Sequence, residues 1–263
     1  MYKVCKPLHI SEEFTSSILF KICPNWKYLM DFVEGKFFMN TNMYFSSIEK
    51  KGILTNAQFD KLEGTQTLLK ATEDVELVID FTEEQPRILQ GKRGEFKYKG
   101  TPIINAELGR NRPHNIYCLY SVWYGRKNGV ITQVDNRIRA ELGEYFAIVL
   151  DKEEFLNRVE QAVKKLPYKL KSDIQYGFVN YVKTENQPYV DLGIFKKDKK
   201  YIYQNEFRIS LELDRKPEPL QYFEVGDLSD IVLGGKTEDL LDIEYIDSYI
   251  KIGKSKLPIK WSE

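Results

Sequence analysis

The chain has 263 residues, of which 42% are hydrophobic and 13% aromatic, and its 39 basic side chains equal its 39 acidic ones. This apolar content suffices for the core of one large domain, expected over residues 1–263, while the balanced charge excludes a strong overall field for attracting nucleic acid. No apolar run reaches about eighteen residues and the N-terminus lacks an apolar stretch, so we expect a cytoplasmic protein without a transmembrane helix or signal peptide.

The cysteines and histidines limit the possible metal and redox chemistry. The three cysteines, Cys5, Cys23 and Cys118, are far apart and form no CxxC pair. This pattern predicts reduced thiols rather than a disulfide framework or a zinc site. The chain has only two histidines, His9 and His114. A histidine-rich metal centre is therefore excluded, and no metal cofactor is expected.

The N-terminal part of the chain predicts a strand–helix–strand unit. A β-type run at 17–23 is stopped by Pro24. Apolar residues then recur at helical spacing over 25–34, and Gly35 follows as a helix end. A second strand is predicted at 36–39, followed by a polar turn at 40–42.

The rest of the chain is richer in strands than in helices. Later strands are predicted at 75–81, 116–121, 145–150, 176–182, 203–213 and 231–233. Helices are predicted at 151–165, with Asp151 as N-cap, and at 237–243. Residues 82–114 are expected to form an irregular excursion with a hairpin around 91–94. Strands do not alternate regularly with helices, which favours a mostly antiparallel α+β fold over a doubly wound parallel one.

Common catalytic signatures are missing, and one polar strand remains as a candidate site. The sequence lacks GxGxxG, GxxxxGK[ST], HExxH and GxSxG motifs. In the predicted strand at 203–213, alternation would place Gln204, Glu206 and Arg208 on one face. Such a face either lines a polar cleft or faces solvent with its charges paired to neighbouring strands. The basic stretches at 164–171 and 196–200 are interpreted as a solvated helix end and a charged hairpin.

Several motifs, taken in order, resemble a bacterial family of largely uncharacterised proteins with an ADP-ribosyltransferase-like fold. The resemblance covers roughly residues 17–246 and depends on motif order rather than close identity. The motifs are the strand–helix–strand unit at 19–41 with its continuation at 44–45 and 59–64, the strand at 116–121 leading to 142–146, the stretches at 181–183 and 195–197, the strand Tyr-Gln-Asn-Glu-Phe-Arg at 203–208, and the stretch 231–234 before a closing helix.

The resemblance implies two small packed sheets with a central cleft that binds NAD as a substrate. In such enzymes a late Q-x-E or E-x-E strand carries the catalytic glutamate, and Gln204-Asn205-Glu206 matches the Q-x-E form. Glu206 would stabilise the oxocarbenium-like state formed as nicotinamide leaves, and Gln204 would lie near the acceptor. The first-strand position, usually Arg or His, is Lys21, which can meet a phosphate only as a point charge.

Other residues are assigned to NAD binding by the same resemblance. No Ser-Thr-Ser triplet is present on the second strand, where the nearest polar residues are Asn40 and Thr41. Tyr44 could stack on nicotinamide, and Ser121 could contact the ribose, although packing at a strand end explains Ser121 equally simply. Asp60 and Glu63 could orient a loop over the site or lie in an exposed turn.

The function implied is an ADP-ribosyltransferase acting as a toxin or antiviral effector. Its acceptor would be nucleic acid or protein, its partner could be an antitoxin protein, and no membrane partner is expected. Two alternatives stay open: an NAD glycohydrolase, in which water replaces the acceptor, and a non-catalytic binding module on the same fold. The lysine at position 21 is the sequence feature that favours the second alternative.

Overall fold

The structure, a computed structural model, describes residues 5–47, 67–69, 77–79, 96–98, 114–185, 189–216, 218–246 and 249–258. Its helices are α1 Trp26–Val33, α2 Asn42–Ser47, α3 Arg137–Leu142, α4 Lys152–Val163 and α5 Thr237–Leu240, with a 3₁₀ helix at Lys199–Gln204. Its strands are β1 Ser16–Cys23, β2 Lys36–Thr41, β3 Thr67–Leu69, β4 Leu77–Ile79, β5 Phe96–Tyr98, β6 Asn115–Gly125, β7 Val130–Ile131, β8 Tyr145–Val149, β9 Gln175–Phe178, β10 Asn180–Val182, β11 Tyr189–Asp191, β12 Lys196–Asp198, β13 Glu206–Leu211, β14 Leu220–Glu224, β15 Val232–Lys236, β16 Glu244–Ile246, β17 Tyr249–Ile252 and β18 Ser255–Pro258.

A nine-stranded sheet organises the described residues. Its main path runs β14-β2-β6-β1-β8-β15, and β13, β9 and β7 extend it from the other edge of β6. All of its pairs are antiparallel, whereas β10 and β12 form a separate parallel pair. The predicted mixed fold with mostly antiparallel strands is therefore confirmed.

The long strand β6 changes partners partway along one edge. Residues 120–124 pair with β1, while Ile116 and Asn115 pair with Asn40 and Thr41 of β2. The stretch 117–119 lies between these two pairings, so β1 and β2 diverge there. The two strand groups remain joined through β6, which differs from the expected pair of separate packed sheets.

The main sheet is buried on both faces. Strand β1 shows this clearly, because it carries apolar side chains at successive positions, which point to opposite faces. Leu19 packs into the cluster that contains α1 and α4, and Phe20 packs into the cluster that contains α3, α5 and β17. We call these the α4 face and the α3 face of the sheet. A strand in contact with two cores needs no polar alternation, as in other strands buried on both faces.

Helix α1 starts and ends where the sequence predicts. The side chain of Asn25 accepts a hydrogen bond from the backbone N–H of Tyr28, at 3.2 Å, and so caps the helix. Gly35 follows with φ +71°, and an added Cβ would lie 1.9 Å from the carbonyl oxygen of Gly226. Both the backbone conformation and the close approach therefore require glycine.

Most predicted elements are confirmed, with shifted ends. The first unit, the strands near 116, 145 and 231, and the helices near 151 and 237 are all present. Asp151 caps α4 by accepting a hydrogen bond from the N–H of Glu154. The stretch 40–42 is no turn, because Asn40 and Thr41 belong to β2 and Asn42 begins α2.

The predicted strand at 203–213 is wrong at its beginning. Residues 199–204 form the 3₁₀ helix, and the strand starts only at Glu206. The side chain of Asp198 accepts a hydrogen bond from the N–H of Lys200 and caps this short helix. A local cap of this kind competes with strand formation and is not visible in an alternating pattern.

Some expectations concern residues outside the described ranges. These include most of the excursion at 82–114, its hairpin at 91–94, and Asp60 and Glu63. None of the helices in the described ranges is long and apolar enough to cross a membrane.

Candidate functional site

The site begins at a sharp change of direction between the 3₁₀ helix and β13. Asn205 has φ 37° and ψ 52°, a left-handed conformation that asparagine tolerates better than most residues. Its backbone oxygen accepts hydrogen bonds from both the N–H and the hydroxyl of Ser121, at 2.8 and 2.7 Å. These bonds fix the start of β13 against β6 and so fix the backbone of Glu206.

Glu206 is buried between two cationic side chains. Only 8% of the surface of this residue is exposed to solvent. One carboxylate oxygen accepts from Lys197 Nζ at 2.7 Å, and the other accepts from Arg208 Nε at 2.7 Å. Its backbone N–H donates to the hydroxyl of Tyr181 at 2.9 Å. The carboxylate is therefore held in one orientation by charged hydrogen bonds on both oxygens.

The two cations keep Glu206 ionised. Burial by itself raises the pKa of Glu206, but the attraction of Arg208 and Lys197, with their hydrogen bonds, outweighs burial and lowers that pKa to about 2. Ionised Glu206 thus contributes stability at pH values above its unfolded pKa of about 4.3. That contribution is lost as the pH falls toward the folded pKa of about 2.

Gln204 lies beside Glu206, although not for the predicted reason. It ends the 3₁₀ helix and is 2% exposed, so strand alternation does not place it. Its amide oxygen accepts from Lys197 Nζ at 2.8 Å, and its amide nitrogen lies 3.4 Å from the Tyr203 hydroxyl. The side chains of Gln204 and Glu206 therefore converge on one lysine, and Gln204 is engaged inside the protein.

Lys197 is the residue of this site that the sequence interpretation missed. It was assigned to a solvated basic hairpin, whereas β12 buries it to 6% exposure. Its ammonium group also lies 4.8 Å from the centre of the Tyr201 ring. The available signal was the apolar pair Ile194-Phe195 just before it, which is typical of a buried strand rather than a solvated turn.

An N-terminal histidine contacts the same turn. His9 Nε2 lies 2.9 Å from Asn205 Oδ1, and the His9 ring packs edge-on against Tyr181. Burial lowers the pKa of His9, while the bond to Asn205 opposes that change. The sequence offers His9 only as a possible metal ligand, whereas the structure places it against the side chain of Asn205, the residue that precedes Glu206.

Lys21 lies on the opposite face of the sheet from Glu206. Strand register aligns Glu206 with Tyr120 and Phe20 on the α3 face, so Lys21, which follows Phe20, points to the α4 face. Its ammonium group donates to the carbonyl of Cys118 at 3.0 Å and lies 4.1 Å from the Tyr117 ring centre. Lys21 therefore fills the divergence between β1 and β2, and the structure does not bring it to the Glu206 carboxylate.

The other assigned residues divide between the two faces. Asn40 pairs with Ile116, which pairs with Ser210, so Asn40 shares the α3 face with Glu206. Its buried Oδ1 has no hydrogen-bond partner among the residues that the structure describes. Thr41 alternates to the other face, where its hydroxyl accepts from the N–H of Tyr44 at 3.2 Å.

The buried ammonium group of Lys21 predicts how the free energy of unfolding changes with pH. Burial lowers the pKa of Lys21, with weaker opposing effects from Cys23, Cys118 and Glu206. Between that lowered pKa and the unfolded value of about 10.4, the unfolded chain binds a proton that the folded chain has released, so the free energy of unfolding rises with pH.

In Lys21→Met we expect the free energy of unfolding to lose this rise with pH. The substitution should leave any NAD affinity unchanged. Urea unfolding at about pH 7 and about pH 10 measures the difference, with exposed Lys199→Met as the control for a generic lysine loss. An identical pH response in Lys21→Met and wild type would contradict the buried, proton-releasing lysine.

Comparisons with known proteins returned no matching family, no similar curated protein and no similar solved structure. Within the described ranges, no group of three or more His, Cys, Asp or Glu side chains is arranged to hold a metal ion. The function must therefore be argued from the geometry around Glu206 together with the motif order of the sequence.

Proposed function

We propose that the chain is an NAD-dependent ADP-ribosyltransferase with an ADP-ribosyltransferase-like fold. The observation that carries the proposal is the convergence of Gln204 and Glu206 on Lys197, because it gives the Q-x-E motif a fixed, ionised carboxylate. A carboxylate of this kind stabilises the positive charge that develops on the ribose as nicotinamide leaves. The acceptor is a nucleic acid or a protein, and the biological role is that of a toxin or antiviral effector with a cognate antitoxin.

NAD would lie along the stretch of the α3 face that runs from Glu206 to Asn40, beyond the residues of that face that pack against α3, α5 and β17. Glu206 and Asn40 share this face. Asn40 aligns with Ser210 through Ile116, and Ser210 lies four residues along β13 from Glu206. Four residues at about 3.3 Å along the strands and two strand spacings of about 4.8 Å across them place the two residues about 16 Å apart, a span that a dinucleotide covers. The unpartnered Oδ1 of Asn40 can accept a hydrogen bond from a ribose hydroxyl or an amide N–H. Lys21 has no part in this arrangement, because it lies on the α4 face.

One observation favours a second candidate, a non-catalytic module. Both oxygens of Glu206 are already engaged by cations, which weakens the negative field available to a ribosyl cation. If Glu206 is catalytic, either Lys197 or Arg208 must release the Glu206 carboxylate oxygen that it binds when NAD enters the site. In the second candidate the three side chains form a buried ion-pair network that only fixes the position of β13 against β12.

The discriminating experiment follows both halves of NAD. The full-length protein is incubated with NAD carrying a labelled adenylate, with and without cell lysate, and free nicotinamide is quantified. We expect nicotinamide release that depends on lysate, with the label retained on a macromolecule. Digestion with protease or nuclease then identifies the class of acceptor.

The other outcomes assign the alternatives. Equal nicotinamide release without lysate, and no retained label, identifies an NAD glycohydrolase. No release, together with no heat of NAD binding in calorimetry, overturns the proposal and supports the non-catalytic module. The labelled macromolecule also decides between protein and nucleic acid as acceptor.

A further inference from the structure

Lys197 contacts both members of the Q-x-E motif through charged hydrogen bonds. Its Nζ lies 2.8 Å from Gln204 Oε1 and 2.7 Å from Glu206 Oε1. It belongs to β12, which pairs in parallel with β10, where Tyr181 aligns with Lys197. Tyr181 in turn accepts from the backbone N–H of Glu206. The β10–β12 unit thus contacts both the backbone and the side chain of Glu206.

Strand alternation does not set the relative orientation of the Gln204 and Glu206 side chains. Gln204 ends a 3₁₀ helix, Asn205 is left-handed and Glu206 begins a strand, so the strand alternation that would align two residues is absent. Arg208 lies two residues along the same strand as Glu206 and donates to its carboxylate from Nε at 2.7 Å. The left-handed turn at Asn205 brings Gln204 and Glu206 near each other, and the common contact with Lys197 joins their side chains.

We propose that Lys197 is the positioning residue of the site, holding the Gln204 amide and the Glu206 carboxylate in one fixed arrangement for reaction at the NAD ribose. This inference rests on the proposed function. Lys197 touches neither NAD nor acceptor and acts only through Glu206 and Gln204. An arrangement loosened by about 1 Å is enough to cost about 10²-fold in rate.

A double-mutant cycle on NAD cleavage tests the inference. We expect Lys197→Met to lower kcat by about 10²-fold, because Glu206 then keeps only its Arg208 contact. If Lys197 acts through Glu206, the variant with both Lys197→Met and Glu206→Gln is no slower than Glu206→Gln alone. Lys199→Met removes an exposed lysine at the start of the same 3₁₀ helix and should retain wild-type kcat.

A second measurement needs no enzymatic activity. The two cations hold the Glu206 pKa at about 2, so removing one moves the folded pKa toward the unfolded value. The fall in melting temperature between about pH 5 and about pH 3 should therefore be smaller in Lys197→Met than in Lys199→Met. If the methionine variant does not fold, Lys197→Gln retains an N–H donor without the charge and undergoes the same two measurements.

The outcomes separate this inference from the proposed function. Wild-type kcat in Lys197→Met, or a multiplicative loss in the double variant, overturns the positioning role even where NAD is cleaved. Absence of NAD cleavage in the wild type overturns the proposed function, and the positioning role in catalysis fails with it. In that case a reduced pH response still establishes that Lys197 holds Glu206, and an unchanged response removes that contact as well.

Discussion

The Glu206→Gln variant is expected to lose NAD cleavage by about 10²–10³-fold, the usual cost of removing one electrostatic partner of a transition state. The substitution keeps the volume of the side chain and removes its negative charge. It therefore removes the stabilisation of the ribosyl cation without opening the site. Nicotinamide release per folded molecule is the measurement, and a variant that retains most of the wild-type rate would exclude Glu206 from the mechanism.

The same variant is also expected to be less stable, which the sequence alone does not indicate. From the predicted strand we would expect an intact fold with unchanged stability. In the structure, neutralising Glu206 leaves Lys197 and Arg208 buried without their carboxylate, and breaking a buried ion pair costs about 3–5 kcal/mol. Domains commonly have about 5–15 kcal/mol of stability, so the variant should still fold for kinetic measurement.

A surface glutamate provides the matched control for this loss of stability. Glu154 forms an ion pair with Arg158 at 2.7 Å, but its side chain is 39% exposed. Glu154→Gln should therefore change the free energy of unfolding far less than Glu206→Gln does. Equal urea midpoints for Glu154→Gln and Glu206→Gln would show that the buried network around β13 contributes no more than a surface pair.

The elements that could be predicted are those encoded by local patterns. Helix α1 follows from apolar spacing and from Gly35 as an end, all within about three turns of chain. Helix α4 follows similarly from Asp151 and its apolar face. Strand β1 follows from a β-type run ended by Pro24. In each case the local signals indicate the same element.

The site could be predicted only in part, because its contacts are not local. Glu206 and Gln204 were found from the motif, but their convergence depends on Asn205, whose left-handed conformation replaces strand alternation. Burial of Lys197 depends on the pairing of β12 with β10, for which the local signal is limited to the apolar pair Ile194-Phe195. A charged run is usually solvated, so composition favours the wrong interpretation whenever tertiary pairing buries one member.

The sequence also could not predict on which face of the sheet each residue lies. Lys21 and Glu206 belong to strands separated by β6, and only the register across all three shows that they point to opposite faces. A register shift of one residue would have placed them together. Asn40 was assigned to the site by position in the motif, and the register does place it on the α3 face with Glu206.

The Arg208→Met variant is expected to lose about 3–5 kcal/mol of stability, the cost of removing one partner from a buried ion pair. Arg208 is 2% exposed. Its Nε donates to Glu206 at 2.7 Å and its Nη1 donates to the carbonyl of Ile194 at 2.6 Å. Methionine fills part of the volume but donates no hydrogen bond to Glu206 or to the Ile194 carbonyl. Of the two cations that contact Glu206, Lys197 then remains.

Arg139→Met is the control, because Arg139 pairs with Glu144 and Glu238 at 3.0 and 3.4 Å with its side chain 43% exposed. Its loss should cost no more than about 1 kcal/mol. The pH dependence identifies the partner of Arg208: protonating Glu206 removes the ion pair, so the advantage of wild type over Arg208→Met should shrink as the pH falls from about 4.3 toward about 2. A difference in the free energy of unfolding that stays constant through this window would mean that Arg208 stabilises β13 through Ile194 and packing rather than through the Glu206 carboxylate.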